Sequence, residues 1–332
     1  MEAISWTAWR MGFLLALLTQ AEATHNAFEE AVVKKLCNLA TSLQNAASVA
    51  NNKLFKLAAA AEAATAAKAK LLIEALTTEN NDTAVVFAAV AMQGESCGRS
   101  NTEKLKEHIP KALAATTITS IGAGALISFV EMLQRMTDTG SRKCISSRSG
   151  TASILLQDPT KLDCPAYAIQ MPADSADFDA KHIKAEGFTE FAANPTSLII
   201  DGDNNCALLK GGGATAAHLW GSGPTKIING LIDITGDSAT NAAAGVEKAD
   251  NIAEALAPAN PIDTMAKQLM KAGTTVNNIP PPSCPAAEEQ LLDHLLNPEN
   301  LKPHLTTALK GLKRQTKGKE EQQITANNGP NQ

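Results

Sequence analysis

Six cysteines carry the most definite chemistry in this chain: Cys37, Cys97, Cys144, Cys164, Cys206 and Cys284. All follow residues 1–23, which read as a secretory signal peptide. There Arg10 supplies the positive charge, Met11 to Leu18 the apolar run, and Ala21-Glu22-Ala23 a small-x-small cleavage site. An even set of thiols entering an oxidising compartment implies three disulfides. Spacing argues against a metal: no C-x2-C or H-x3-H pair occurs, and the nearest cysteines are twenty residues apart. No metal and no cofactor is expected.

The remaining polar motifs do not assemble into catalysis. None of the histidines (His25, His108, His182, His218, His294, His304) sits beside a nucleophile in a recognisable pattern. His182, near Asp177 and Asp179, reads as part of a solvated polar segment, because acid–base work needs a positioned pair. There is no G-x-S-x-G elbow. Asp201-Gly202-Asp203-Asn204-Asn205 resembles the first half of a calcium loop, but Cys206 stands where the loop needs glycine and Gly212 where it needs the bidentate Glu. Gly211-Gly212-Gly213 lacks the Gly-Lys-Ser/Thr of a phosphate loop. No catalytic residue is expected, and the chain is read as a non-enzyme. One modification motif stands out: Asn81-Asp82-Thr83 is the single allowed N-glycosylation sequon, since Pro195 follows Asn194.

The elements that would hold these groups are mainly helical. Leu36, Leu43, Ala50, Leu57, Ala64 and Leu71 recur at seven-residue intervals, with Val32, Leu39, Ala46, Ala60 and Ala67 as the companion row. Sustained 3.5-residue periodicity predicts a long coiled-coil helix, and Pro and Gly are absent from residues 26–92. A helix over residues 26–76 would be about 75 Å long. Lys53 interrupts the second row, and its stem is expected to snorkel to the bundle edge. A second helix is read at 111–136, with Pro110 in its first turn and a stripe of Leu113, Thr117, Ile121, Ala125, Phe129, Met132 and Met136. Gly122 and Gly124 would admit a neighbouring backbone. Residues 77–109 are the connection.

The expected fold is therefore mainly α: an elongated antiparallel hairpin of long coiled-coil helices, with a disulfide-stapled, loop-rich lobe at one end (about 144–240) and a smaller lobe at the other. Short apolar runs occur at 197–200 and 226–234. Returning helices and the smaller lobe fill about 244–312, with helical pieces at 244–256, 262–271, 286–296 and 301–312. Residues 313–332 are polar and read as a flexible linker. Aromatic residues make up 4% of the chain, too few for a thick core and suited to close alanine seams. A net charge of −5 with no clustered basic face argues against nucleic acid.

Geometry limits the disulfides. Cys37 and Cys97 would lie some ~60 Å apart along such a helix, whereas a bridge needs Cα atoms within about 7 Å. The returning helix brings Cys144 near Cys37, and Cys164 and Cys206 follow, leaving Cys97 to pair with Cys284 at the opposite end. Among the other four, three pairings fit equally well.

This layout, with a leader, a long Ala/Leu heptad helix bearing Cys37, a return helix, a lobe with Cys144, Cys164 and Cys206, and a basic Gln-rich tail, resembles the N-terminal domain of trypanosome variant surface glycoproteins over residues 24–312. The resemblance implies Cys37–Cys164 and Cys144–Cys206 bonds, a homodimer, and dense packing on the extracellular face of the plasma membrane through a GPI anchor. It implies a coat that shields the parasite and varies antigenically against host antibodies. It also makes Thr215, Ser222 and Thr225 candidates for O-linked sugar in or beside an exposed loop at 211–224, although an unmodified loop is the expectation. No cysteine-rich domain or hydrophobic GPI tail follows Gln332, so residues 313–332 are read as leading into a C-terminal domain missing from this chain. The rival reading is a receptor on the same scaffold for a host serum protein or nutrient carrier, with Trp220 as a contact, although a buried Trp220 is the expectation.

Overall fold

A computed structural model describes residues 26–137, 143–147, 162, 164–165, 177–179, 181–184, 187–191, 196–200, 206–209, 219–220, 224–228, 230–235, 243–246 and 261–327. The signal segment 1–23 lies outside the described residues. The chain is mainly helical and divides into two compact units.

The first unit combines residues up to Gln44, residues 118–170 and residues 179–274. It opens on strand β1 (Ala27–Glu29) and helix α1 (Glu30–Gln44). The helix thus starts later than the heptad suggested, because residues 27–29 are the middle strand of a three-stranded sheet. Phe28 pairs in parallel with Ile145 of β2 (Ile145–Ser146) and antiparallel with Ile199 of β4 (Ile199–Ile200). Phe28 is fully buried and meets Phe129 edge-on, ring centroids 5.5 Å apart, the arrangement that aromatic quadrupoles favour. From α1, Val32, Leu36, Leu39 and Leu43 are buried as the heptad rows require.

A second, antiparallel sheet has the order β3 (Thr196–Ser197), β7 (Ala243–Val246), β6 (Ile232–Thr235), β5 (Pro224–Ile227). Strand β7 corrects the helix read at 244–256. Its alanines favour a helix, but buried Ile232 and Ile234 make β6 a strand whose ladder captures all of 243–246; residues 247–256 lie outside the described residues. The lobe boundary read near 244 is not seen either, since β7 and residues 261–274 group with the first unit. The β5–β6 turn holds Ile228 at φ 53° and Gly230 at φ 83°; glycine adopts this freely, whereas isoleucine carries about 1–2 kcal/mol of strain.

The second unit contains residues 45–117, 171–178 and 275–332. Helix α2 (Ala46–Thr77) follows a single interrupting residue, Asn45. The unbroken helix expected over 26–76 is therefore two. Asn45 keeps right-handed helical angles (φ −71°, ψ −9°), and its carbonyl still accepts from the Val49 N–H at 3.0 Å. The heptad phase consequently survives the break, and Ala46, Ala50, Leu57, Ala60 and Ala64 are all buried.

Helix α3 (Asn81–Arg135) is the largest correction. It runs 55 residues, absorbing the connection read at 77–109 and passing straight through Pro110. A proline inside a helix loses one hydrogen bond and costs ~3 kcal/mol. Burial of Cys97 and Asn101 before it, and of Ala112 and Ala115 after it, holds the helix on both sides. Most of the expected apolar stripe is also on the wrong face: Leu113 is 64% and Ile121 58% exposed, although Phe129, its one large buried member, packs in the core. The buried face runs through Ala112, Ala115, Thr119, Ala123, Leu126, Val130 and Leu133, with Phe129 beside it.

Small residues set the helix spacing. A Cβ on Gly94 would lie 3.3 Å from the Ala64 carbonyl, and one on Gly98 3.4 Å from Thr65 Oγ1. Residues later in α3 thus meet residues earlier in α2, so this pair runs antiparallel. Gly122, in the first unit, abuts Leu269 of helix α4 (Pro261–Asn277), whereas nothing lies within 4 Å of a Cβ at Gly124, so only Gly122 admits a neighbour, and that neighbour is a side chain. Helices α5 (Glu288–Leu296) and α6 (Pro298–Asn327) complete the second unit, with Leu291, Leu295 and Leu301 packing on Ala64, Ala89 and Val90. Helix α6 continues through Asn327, so the linker read at 313–332 is helical over most of its length; its Lys, Glu and Gln residues are good helix formers.

Candidate functional site

Three disulfides join Cys37 to Cys164, Cys144 to Cys206 and Cys97 to Cys284, with Cα–Cα distances of 4.5, 4.5 and 6.2 Å. The first two belong to the first unit and the third to the second. Cys37 is presented by α1 beside the core leucines. Cys144 precedes β2, where its carbonyl accepts from Phe28 N–H at 2.8 Å and its own N–H donates to Thr137 Oγ1 at 3.0 Å. The two first-unit bridges therefore anchor loop segments to α1 and to the central strand.

The Cys97–Cys284 bridge has a polar bracket that sequence reasoning missed. Asn101 stands one helical turn after Cys97 and is fully buried. Its Nδ2 donates to Cys97 Sγ at 3.6 Å and Cys284 Sγ at 3.4 Å, while its Oδ1 accepts from Ser283 N–H at 2.7 Å. The hydroxyls of Ser100 and Ser283 bond at 2.8 Å alongside. The available signal was the four-residue spacing, which puts Cys97 and Asn101 on one face of a helix.

Asn81 occupies the first turn of α3, with Asn80 as cap: Asn80 Oδ1 accepts from the N–H groups of Asp82 and Thr83 at 2.9 and 3.1 Å. Asn81 and Thr83 are both exposed, so the sequon presents its amide to solvent from a fixed backbone. Of the O-glycan candidates, Thr215 and Ser222 lie outside the described residues. Thr225 is half-buried within β5, opposite Ile234, and not in an open loop. Trp220 is half-buried, its Nε1 donating to the Leu208 carbonyl at 2.5 Å.

Lys53 does not snorkel to water. Its side chain is 14% exposed, and Nζ donates to the Asn277 carbonyl at 2.7 Å and pairs with Asp177 Oδ1 at 3.0 Å. A cation at the last carbonyl of α4 also complements the negative end of that helix dipole. His182 is likewise not in a solvated segment: it is 17% exposed, and Nδ1 lies 3.3 Å from Oε2 of Glu190. On the α2–α3 surface, Lys68 hydrogen-bonds Glu95 (3.1 Å) and, with Arg99, holds that carboxyl below the usual carboxylate range. A cavity of about 340 Å³ between α2 and α5 is walled by Ala63, Ala67, Leu71, Leu291 and Leu295, with the Lys70–Glu288 pair at 3.0 Å as its charged groups.

Comparisons with known proteins match this architecture. The family model for trypanosome variant surface glycoprotein, A-type, matches residues 12–331. Among solved structures, that of MITat 1.1 is similar with a TM-score of 0.60 at 14% identity, covering 86% of this chain and 87% of that one; at that identity the likeness speaks for the fold. Comparison with curated protein sequences finds no match. With nearly the whole chain accounted for by the family model, and a disulfide-stapled, mainly helical fold similar to a solved structure, the chain belongs to the trypanosome variant surface glycoprotein family, the A-type surface-coat glycoproteins.

Proposed function

We propose that this protein forms part of a surface coat that shields the parasite and is exchanged in antigenic variation, so that host antibodies raised against one coat fail against the next. The match of the coat-protein family over residues 12–331 is the observation that carries this reading. Its physical logic rests on separating scaffold from surface. Stability resides in buried heptad rows and three disulfides, and exposed positions contribute little burial energy and are free to change. On this reading residues 1–23 are a cleaved leader, Asn81 carries an N-linked glycan, the protein acts as a homodimer, and a GPI anchor on a C-terminal domain holds it at the extracellular face.

Antibodies raised against the folded chain test this directly. They are expected to stain live, unpermeabilised trypanosomes uniformly, and a phospholipase that cleaves GPI anchors should remove the stain. Staining only after permeabilisation overturns the coat reading. Saturable capture of one host serum component by the same protein would establish the receptor reading in its place.

A further inference from the structure

We propose that the cavity between α2 and α5 is a binding site for an uncharged single-chain aliphatic alcohol, the class to which fatty alcohols and monoacylglycerols belong. The cavity lies wholly within the second unit and holds about 340 Å³, inside the range of small-molecule sites. Its two walls are unequal. From α2 come Ala63, Ala66 and Ala67, whose side chains end at Cβ; from α5 come Leu291 and Leu295, which are buried and form the floor. Three alanines in one wall leave space that larger side chains would fill. Leu71 adds to the apolar lining, in which water finds few polar partners. The α2 wall runs from Ala63 to Leu71, a rise of about 12 Å along the helix, so the space suits an extended chain.

The mouth decides the head group. Among the described residues, Lys70 and Glu288 are the only charged ones lining the cavity, and both are largely exposed. Lys70 Nζ donates to Glu288 Oε1 at 3.0 Å. That bond uses one of three ammonium N–H groups and one of two carboxylate oxygens. A hydroxyl beside the pair accepts from Lys70 and donates to Glu288, leaving the ion pair intact. A carboxylate head would be set against Glu288, and an ammonium head against Lys70. The neutral head therefore matches a mouth whose two charges cancel. Affinity then comes from the chain, each buried methylene tightening binding about fourfold.

Titration of the intact protein with 1-hexanol, 1-octanol and 1-decanol, followed by the methyl NMR signals of Leu291 and Leu295, tests the site. Saturable shifts are expected, with affinity rising about fourfold per methylene along the series. The methyls of Leu36 and Leu126, buried in the first unit, should stay unmoved. Decanoate and decylamine should bind more weakly than 1-decanol. In E288Q, which leaves Lys70 without its carboxylate, decanoate should gain about two- to fivefold. Filling the cavity in A67L should abolish the shifts, and A66L makes the same test if A67L fails to fold. The proposal is overturned by an absence of saturable shifts, by a flat chain-length series, or by a charged head that binds more tightly than the alcohol. Binding that survives in a folded, filled variant also overturns it. So do Leu291 and Leu295 signals that depend on protein concentration without alcohol, which would give the cavity to a second copy of the chain. None of these outcomes depends on whether the protein is a coat component.

Discussion

At the scale of single residues, the informative side chains are polar ones with defined partners. Asn101 is the clearest. Truncating it to alanine strips the half-buried Ser283 N–H of its acceptor and leaves the Cys97–Cys284 bridge without its donor. A net hydrogen bond is worth about 0.5–1.5 kcal/mol, so N101A should unfold in urea with stability lowered by at least about 1 kcal/mol; a loss under ~0.5 kcal/mol would mean that water replaces the bracket. Glu95 gives a second expectation, in titration. Lys68, through its hydrogen bond and charge, and then Arg99 hold the folded carboxyl below its ordinary value. A carboxylate shifted this way stabilises the fold above the ordinary glutamate range, and that contribution disappears as pH falls through the lowered folded value. Replacing Lys68 by methionine should move the Glu95 midpoint upward in a carbon-detected NMR titration, and an unmoved midpoint would assign the shift elsewhere. Neither the Asn101 bond to Ser283 nor the Lys53 contact to Asn277 was legible in the sequence, because each depends on a partner more than 180 residues away.

Elements were legible where periodicity is long and illegible where size, not hydrophobicity, decides burial. The two heptad rows of α1 and α2 bury as read through Ala64, with Ala67 and Leu71 half-buried, even across Asn45, because the phase of a repeat outlasts a break that keeps helical angles. On α3 the reading favoured the large residues Leu113 and Ile121, whereas burial there falls on the small residues Ala112, Ala115, Thr119 and Gly122, the last against the Leu269 side chain. Strands of two to four residues are too short to show alternation. The same size argument predicts opposite signs for two glycines one residue apart. In G122A the new methyl meets Leu269, which is wholly buried and cannot swing into solvent; overpacking of this kind costs about 1–3 kcal/mol. In G124A the methyl meets open space, and a helical glycine replaced by alanine gains about 0.5–1 kcal/mol. Paired denaturation curves check this, and destabilisation by both variants would show that α3 needs backbone freedom at 122–124 and not space.

For the whole molecule, alanine seams bury little area per residue, since each buried methylene group contributes only about 0.8 kcal/mol. Covalent cross-links therefore carry a larger share of the stability than in a protein with an aromatic core. The bonds interleave along the chain, Cys37–Cys164 overlapping both Cys97–Cys284 and Cys144–Cys206, with separations of 127, 187 and 62 residues. Each restricts the unfolded chain by an amount that grows with the logarithm of the loop, and a single native bridge is typically worth about 2–4 kcal/mol. Removing Cys97–Cys284 by serine substitution at both positions should lower stability by that amount. It should also reduce the cost of a further N101A change, because Asn101 and the sulfurs then no longer act as one bracket. A double-mutant cycle in urea measures that coupling. A coupling within about 0.5 kcal/mol of zero, with the full loss from the cysteine pair alone, would assign the bridge's effect to the unfolded chain and leave Asn101 as an independent cap on Ser283. A coupling of 1 kcal/mol or more would place part of the bridge's effect in the folded state, where polar side chains hold the sulfurs in register between α3 and the segment before α5.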